Sequence, residues 1–284
     1  MRKQAAILMF FFALGAPISA KAAVAGALES FPTLAHAESW AVFDFADETT
    51  YYPFWSDEDD PFIYLTHIDD YGLWFLTDLT GNRAWIGDYS EESIQAIQVE
   101  IFIDSLEELD LIDCAIWTDG SAGFDYYYSE ALIASDFPEA GWWQLRFPFD
   151  GTWFYFDDGW IPVTFEPEDL REVEEIGFRI FPKTGAPNGL LSAIGEVRLE
   201  PLVVAPEIAF DQDGSNFILD FEPLPGTVSS IEKLLLQPDP EWQTVPGETE
   251  IRGIGTYRFE STLSENRGIF RVVTEADYQQ VEIE

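Results

Sequence analysis

From residue 40 onward apolar and polar residues alternate with a period of two, the pattern of strands that bury one face. Ile97, Val99, Ile101 and Ile103 interleave with Gln98, Glu100, Phe102 and Asp104. Trp143, Leu145, Phe147 and Phe149 interleave with Trp142, Gln144, Arg146 and Pro148. Ile176, Phe178 and Ile180 form a third run with Arg179 on its other face, and Val197 and Leu199 close the series with Glu196 and Arg198 outward. This succession predicts an all-β fold, an antiparallel β-sandwich of the jelly-roll type. One short helix is expected at 167–174, where Pro167, Glu168 and Asp169 form a favourable first turn and Leu170, Val173 and Ile176 are spaced to dock on a sheet.

The prolines of 201–206 favour extended backbone and predict a stiff connector. Beyond it, strand patterns at 208–210, 217–221, 228–236, 257–259 and 269–273 predict a second, smaller β-sandwich module, Ig-like or fibronectin-like in layout. Asp211-Gln212-Asp213-Gly214 superficially matches a calcium loop, but its Gly is fourth rather than sixth, and it reads as a hairpin turn. The expected organisation is a sandwich over 38–200, a connector over 201–206 and a small module over 207–284.

The N-terminus has the features of an export signal. Arg2 and Lys3 precede an apolar run over 5–16, and small residues Ala20, Ala22, Ala23 and Ala25 follow. Cleavage is expected after Ala22, with Ala25 as the alternative end. A membrane span needs about 20 apolar residues, and this run is shorter and interrupted by Gly15 and Pro17. No later segment is long enough, and Cys114 is in mid-chain, away from any N-terminal lipid attachment site. The expected product is secreted, periplasmic or at the cell surface, with no membrane insertion after the signal is removed.

Charge narrows the partners. The chain has 53 Asp plus Glu against 14 Lys plus Arg, a formal charge of −39. Removing 1–22 takes Arg2, Lys3 and Lys21 and no acid, leaving 11 cations against 53 acids and a charge of −42. Such a surface lacks the clustered cations that nucleic acid or an anionic membrane requires. The single cysteine, Cys114, cannot form an internal disulfide, and it shares strand phase with Ile112 and Ile116, which places it in the core. No Gly-x-Ser-x-Gly or His-Glu-x-x-His motif is present, and no catalytic residue is assigned.

Aromatic rings are the main candidate chemistry, because their faces stack on the C–H faces of sugars. Trp142 is on an outward strand phase beside Gln144 and Arg146, and Trp85 is in a loop bounded by Gly81 and Gly87. Trp153, Tyr155 and Trp160 surround a Gly/Asp loop and form a second candidate patch. Arg146 and Arg179 point outward, where they either receive an anionic group or pair with neighbouring carboxylates. The acids Asp57, Glu58, Asp59 and Asp60 share one loop, which suits either a hard cation or solvation.

The order of the motifs, from Gly81-Asn82-Arg83-Ala84-Trp85-Ile86-Gly87-Asp88-Tyr89 through the strand at 94–104, Trp142-Trp143-Gln144-Leu145-Arg146-Phe147-Pro148-Phe149 and the Asp169-Leu170 turn to Ile194-Gly195-Glu196-Val197-Arg198-Leu199, resembles the laminin-B-like, galactose-binding-like sandwich modules of bacterial secreted proteins. Residues 203–284 are similar to the small fibronectin-like modules that end many such chains. The resemblance implies sugar binding through loop or concave-face aromatics and a structural calcium. In that family the last strand commonly reads Ile-Asp-Asn-Val, so Gly195 and Glu196 leave a ligand-type Asp missing here. Three functions fit: an exported, non-catalytic protein binding an extracellular glycan or other polymer; a structural or adhesive surface protein without a small ligand; and a polysaccharide-acting enzyme with paired carboxylates.

Overall fold

The computed structural model describes residues 23–280, apart from 45–48, 58–59, 68–72, 78–82, 121–122, 157–158, 185–188, 204–207, 214–215, 236–240, 253–255 and 263–268. The expected signal peptide over 1–22 lies outside the described residues. Six shorter strands come first: β1 (Ala27–Glu29), β2 (Trp40–Asp44), β3 (Thr49–Tyr51), β4 (Phe54–Ser56), β5 (Phe62–His67) and β6 (Leu73–Thr77). They are followed by β7 (Ile94–Ile103), β8 (Leu109–Gly120), β9 (Gly123–Ser129), β10 (Leu132–Ile133), β11 (Gly141–Pro148), β12 (Trp153–Phe156), β13 (Trp160–Val163), β14 (Val173–Pro182) and β15 (Leu190–Pro201). The C-terminal part holds β16 (Ile208–Asp213), β17 (Asn216–Phe221), β18 (Thr227–Leu235), β19 (Glu241–Thr244), β20 (Tyr257–Thr262), β21 (Ile269–Ala276) and β22 (Gln279–Gln280).

The molecule is an all-β sandwich. Its first sheet is built on β11-β7-β15, and the far edge of β15 is divided between β5 at residues 190–194 and β1 at residues 197–198. β4 extends the sheet beyond β5, and β22 extends it beyond β1. The second sheet runs β13-β12-β9-β8-β14-β6-β2-β3, with β10 also on β8. Both sheets turn their alternating apolar positions inward. Ile97, Ile101 and Ile103 of β7 face Ile112, Ile116, Phe178 and Ile180 of the second sheet in one buried cluster. Trp40 anchors it, stacked on Phe178 at 6.0–6.2 Å range with its neighbours: 6.2 Å to Phe178, and 6.0 Å edge-on to both Phe31 and Trp85. Cys114 is fully buried in that cluster, and burial pushes its thiol well up.

The helix expected at 167–174 is reduced to a single 3-10 turn, Pro167–Leu170. β14 begins at Val173 and pairs along β8 and β6, so its backbone is committed to the sheet. Leu170, Val173 and Ile176 are buried as expected, but the latter two are buried from a strand. Among the described residues the one α-helix is elsewhere, at Leu34–Glu38, with Thr33 as its N-cap.

β16-β17-β20 and β19-β18-β21 form two further sheets around Leu219, Phe221, Ile231, Ile251 and Phe259. Asp213 pairs with Asn216 at the end of the β16–β17 hairpin, where the sequence places a turn. The first sandwich and this C-terminal part meet at the N-terminal segment. Gly26 N–H donates to Leu199 O at 2.9 Å, and Gly26 O accepts from Gln279 N–H at 2.9 Å. Gly226, at φ +66°, lies so close to Ala25 that a Cβ on it would sit 2.5 Å from the Ala25 carbonyl carbon. The approach of these two backbones therefore requires glycine at 226, on both conformational and steric grounds.

Glu29 is completely buried at this junction and is surrounded by donors. It accepts from Phe31 N–H at 2.8 Å and from Gln280 Nε2 at 3.0 Å, and His36 Nδ1 is 3.0 Å away. Phe31 is held at φ +52°, a conformation disfavoured for a bulky residue. Its buried ring, its N–H on Glu29 and its carbonyl under Trp55 Nε1 at 2.9 Å fix it there.

Ala23 and Ala25 are buried, and Val24 N–H donates to Ala84 O at 3.1 Å. A chain starting at Gly26 loses two buried methyls and that hydrogen bond, and is expected to be about 2 kcal/mol less stable in denaturant unfolding than one starting at Ala23. Equal unfolding midpoints would show that residues 23–25 add nothing.

Candidate functional site

Side chains on the outer face of the first sheet divide into an aromatic half and a polar half. On β11, Trp142, Gln144 and Arg146 point outward while Leu145 and Phe147 are buried. Trp142 pairs with Phe102, Gln144 with Glu100 and Arg146 with Gln98 across β7. On β15, Ala193 lies opposite Phe102 and Arg198 opposite Gln98, and the bulge between Ile194 and Val197 puts Gly195 and Glu196 against Glu100. Gly195 matters here because a Cβ on it would sit 2.6 Å from Glu100 Oε2 and 3.2 Å from Trp142 Cζ3. The missing side chain is what lets the ring and the carboxylate lie over β15.

In the aromatic half, Trp142 meets Phe102 at 5.4 Å and, edge-on, Phe62 at 5.6 Å. Phe62 continues to Tyr64 at 5.8 Å, and Tyr64 to Phe54 at 5.6 Å. The stripe therefore crosses from β11 to β4, about 19 Å at ordinary strand spacing. Its two ends are the most open, with Trp142 at 42% and Phe54 at 64% exposure.

The polar half contains a depression of about 160 Å³ lined by Gln98, Val99, Glu100, Gln144, Glu196 and Arg198. Burial, reinforced by Glu196, raises the carboxyl of Glu100 above its ordinary range. Arg146 is bidentate to Glu200, at 2.7 and 3.1 Å, and Gln95 and Gln98 also donate to that carboxylate. Burial opposes ionisation of Glu200, but these hydrogen bonds outweigh it and hold the carboxyl low. Arg198 pairs with Glu196 and stacks over Tyr278 at 5.1 Å. Amide, carboxylate and guanidinium groups thus border an exposed indole, a set able to hydrogen-bond hydroxyls while a ring stacks beside them.

Across the sandwich, the outer face of the second sheet has a different build. Asp113 of β8 and Arg179 of β14 are paired in register and bidentate at 2.7 and 2.6 Å. Their side chains are only 4% and 11% exposed. The Arg179 guanidinium lies over Tyr128 at 3.7 Å, and Trp160 of β13 stands edge-on to Tyr128 at 5.2 Å. Tyr126 stacks between Trp117 and Tyr128 at 5.3 and 6.3 Å. Its hydroxyl faces Glu175 Oε1 at 3.5 Å, and burial pushes the carboxyl of Glu175 up to about 8.

The residues singled out from sequence separate accordingly. Trp142, Gln144 and Arg146 come together on the first sheet. Trp160 is exposed on the second. Trp85 is a correction: the Gly-bounded loop does not hold it open, because its ring is fully buried against Trp40 and its carbonyl accepts the Tyr89 hydroxyl at 2.6 Å. Trp153 is likewise buried, stacked on Phe149 at 5.7 Å with its indole N–H on Pro148 O. Arg146 and Arg179 are both paired with carboxylates. Sequence reasoning missed Phe54, Phe62 and Tyr64, although the outward phase of Phe102 and Glu100 was readable in the alternation of β7. Two acids of the 57–60 loop, Glu58 and Asp59, lie outside the described residues. Among the described residues no group of three or more His, Cys, Asp or Glu side chains is placed to hold a metal.

No protein-family model matches the chain, and no curated protein matches it in sequence. Solved structures with a similar arrangement include a β-1,2-glucanase from Parabacteroides distasonis, at 10% identity over 85% of this chain and 36% of that one, with a TM-score of 0.35. The N-terminal CBM22-1–CBM22-2 tandem domain of Xyn10C from Paenibacillus barcinonensis is 11% identical over 92% and 93% of the two chains, with a TM-score of 0.32. The glycoside hydrolase domain of Endo-D from Streptococcus pneumoniae R6 is 8% identical over 78% and 34%, with a TM-score of 0.24. The chain spans about a third of the length of the glucanase and of the Endo-D domain.

Two stability measurements follow from this geometry. Trp85→Ala should cost about 3–5 kcal/mol, as expected for a buried ring, whereas Trp142→Ala should leave the unfolding midpoint close to that of the parent. Glu175 keeps its proton to a higher pH in the folded chain than in the unfolded one, so its contribution is fully present below its ordinary value of 4.5 and is lost as pH rises through about 8. The melting temperature should therefore fall across that window, and Glu175→Gln should flatten the fall. An unchanged slope in the variant would remove Glu175 as its source.

Proposed function

We propose that the outer face of the first sheet binds a carbohydrate chain, and that the protein is a non-catalytic, exported glycan-binding sandwich. The observation that supports this most is the open Trp142 ring, flanked by Phe102 and Phe62, beside the depression lined by Gln98, Glu100 and Gln144. Sugars present apolar C–H faces and rims of hydroxyls at once, and this face pairs an indole with side chains that donate and accept. The arginines here are already committed to Glu200 and Glu196, so the face favours an uncharged polymer over an acidic one. Localisation outside the cytoplasm rests on the N-terminal sequence alone. The likeness to laminin-B-like, galactose-binding-like modules, the division at the 201–206 connector and a structural calcium belong to the same proposal.

Affinity electrophoresis against a panel of soluble neutral polysaccharides tests it. Trp142→Ala should weaken retention about tenfold, roughly the loss of one ring-stacking contact, with the melting temperature unchanged. Retention of a folded Trp142→Ala variant equal to that of the parent would overturn the reading, as would failure of the parent to bind any glycan on a broad array.

A further inference from the structure

We propose that the free edge of β11 is a self-association site, through which two copies of this chain join their first sheets into one continuous sheet across a two-fold axis. β11 is the outermost strand of that sheet and, among the described residues, pairs with β7 alone. The ladder decides which of its backbone groups are left over. Phe149 N–H donates to Gln95 O at 3.0 Å, so 149 and 95 are a hydrogen-bonded pair, and in an antiparallel ladder such pairs recur at every second residue. On β11 the residues turned to β7 are therefore 141, 143, 145 and 147. β7 gives the same phase from its other side: Asp104 N–H donates to Leu191 O of β15 at 3.3 Å, so the odd-numbered residues of β7 are the ones that serve β11. The N–H and C=O groups of Trp142, Gln144 and Arg146 consequently point along the open edge. The run stops at Pro148, whose carbonyl already accepts from Gly151 N–H at 3.2 Å and from Trp153 Nε1 at 2.9 Å.

An open edge of this kind is ordinarily kept short or blocked by Pro or charge. The other edges of the sandwich follow that rule: β10 and β22 have two residues each, β3 and β4 three, and β13 four with Pro162 among them. β11 does not. It has eight residues, with no acid and no Lys in a chain that has 53 acids, and its one Pro is the last residue. Nor do its own side chains shield it. Trp142 leans over Phe102 and Gly195, Gln144 reaches Gln98 at 3.4 Å and Arg146 reaches Glu200, all of them toward β7 and β15 and away from the edge.

A second copy fits because the strand complements itself. Three open residues at equal spacing have Gln144 at their centre, so an antiparallel partner related by a two-fold axis through Gln144 satisfies all of them and forms about six main-chain hydrogen bonds. In that register Gln144 meets Gln144 of the second copy, and an amide is both donor and acceptor to its equal. Trp142 meets Arg146 of the second copy at each end, so no like charges face each other across the join. The association goes beyond the glycan reading and does not depend on it. Joined in this way, the two outer faces become one surface that carries both Trp142 stripes.

Sedimentation equilibrium and amide hydrogen exchange on the full chain test the site. The parent should be a dimer that tightens as salt rises to about 0.15 M, because each copy has a formal charge of −39 and screening weakens their repulsion. The amides of Trp142, Gln144 and Arg146 should exchange more slowly in concentrated than in dilute protein. Gln144→Lys and Gln144→Glu should each weaken the dimer about tenfold, because like charges then meet at the axis, and an equimolar mixture of the two should recover it as a heterodimer. Gln144 is exposed and its ladder position faces away from β7, so both variants should melt with the parent. A parent that stays monomeric at its highest soluble concentration in salt would overturn the proposal, as would a dimer that both variants form as tightly as the parent. Equal protection of the three amides in dilute protein would assign the edge to another segment of this chain, and protection that appears only on adding an unrelated extended peptide would assign it to a foreign strand. Either result would overturn self-association at β11, and neither bears on glycan retention.

Discussion

A carboxylate with no access to water must be hydrogen-bonded by the protein, and at Glu29 that requirement joins three distant parts of the chain. Its partners come from the turn at Phe31, from His36 in the short helix and from Gln280 near the C-terminus. Meeting the requirement fixes Phe31 in a conformation it would not otherwise adopt, and the Phe31 ring then packs on Trp40, the anchor of the core. It also seats β1 between β15 and β22. The first sheet is thus closed on its far edge by a segment that touches the C-terminal part through its own backbone, and the two sets of sheets share one junction.

Both outer faces follow one rule. Where the middle strands of a sheet carry small residues, Gly195 and Ala193 on one side and Ala115 and Gly177 on the other, rings from flanking strands can lean over the gap. The first face leaves its rings open at both ends and its polar groups in a wet depression. The second encloses its polar groups under the rings. The same composition, rich in aromatics and acids, therefore yields two surfaces with different degrees of solvation.

Much of the sandwich was legible because a strand that buries one face writes its period into the chain. The alternation of 142–149 is enough to place Trp142, Gln144 and Arg146 together, and the phase shared with Ile112 and Ile116 is enough to place Cys114 in the core. What was not legible depends on long-range contacts. Trp85 has no periodic neighbours, and only the arrival of Trp40 from a distant strand buries it. The 167–174 stretch carries good helical signals, yet pairing of Val173 with β8 and with Gly87 commits its end to a strand. β1 and β22 are too short to show any period, and Phe54 and Phe62 join Trp142 only through the pairing of β4, β5 and β15.

Seven arginine side chains are paired with carboxylates: Arg146, Arg171, Arg179, Arg198, Arg252, Arg258 and Arg271. The excess of acids is therefore balanced not by the protein but by mobile cations held around it. An uncharged polymer that took up such a molecule would acquire fixed negative charge along its length and the osmotic pressure of the accompanying ions. A gel of that polymer would swell in dilute medium and contract in salt as the Debye length shortens, so the protein would set the water content of the material it occupies without adding a covalent bond to it.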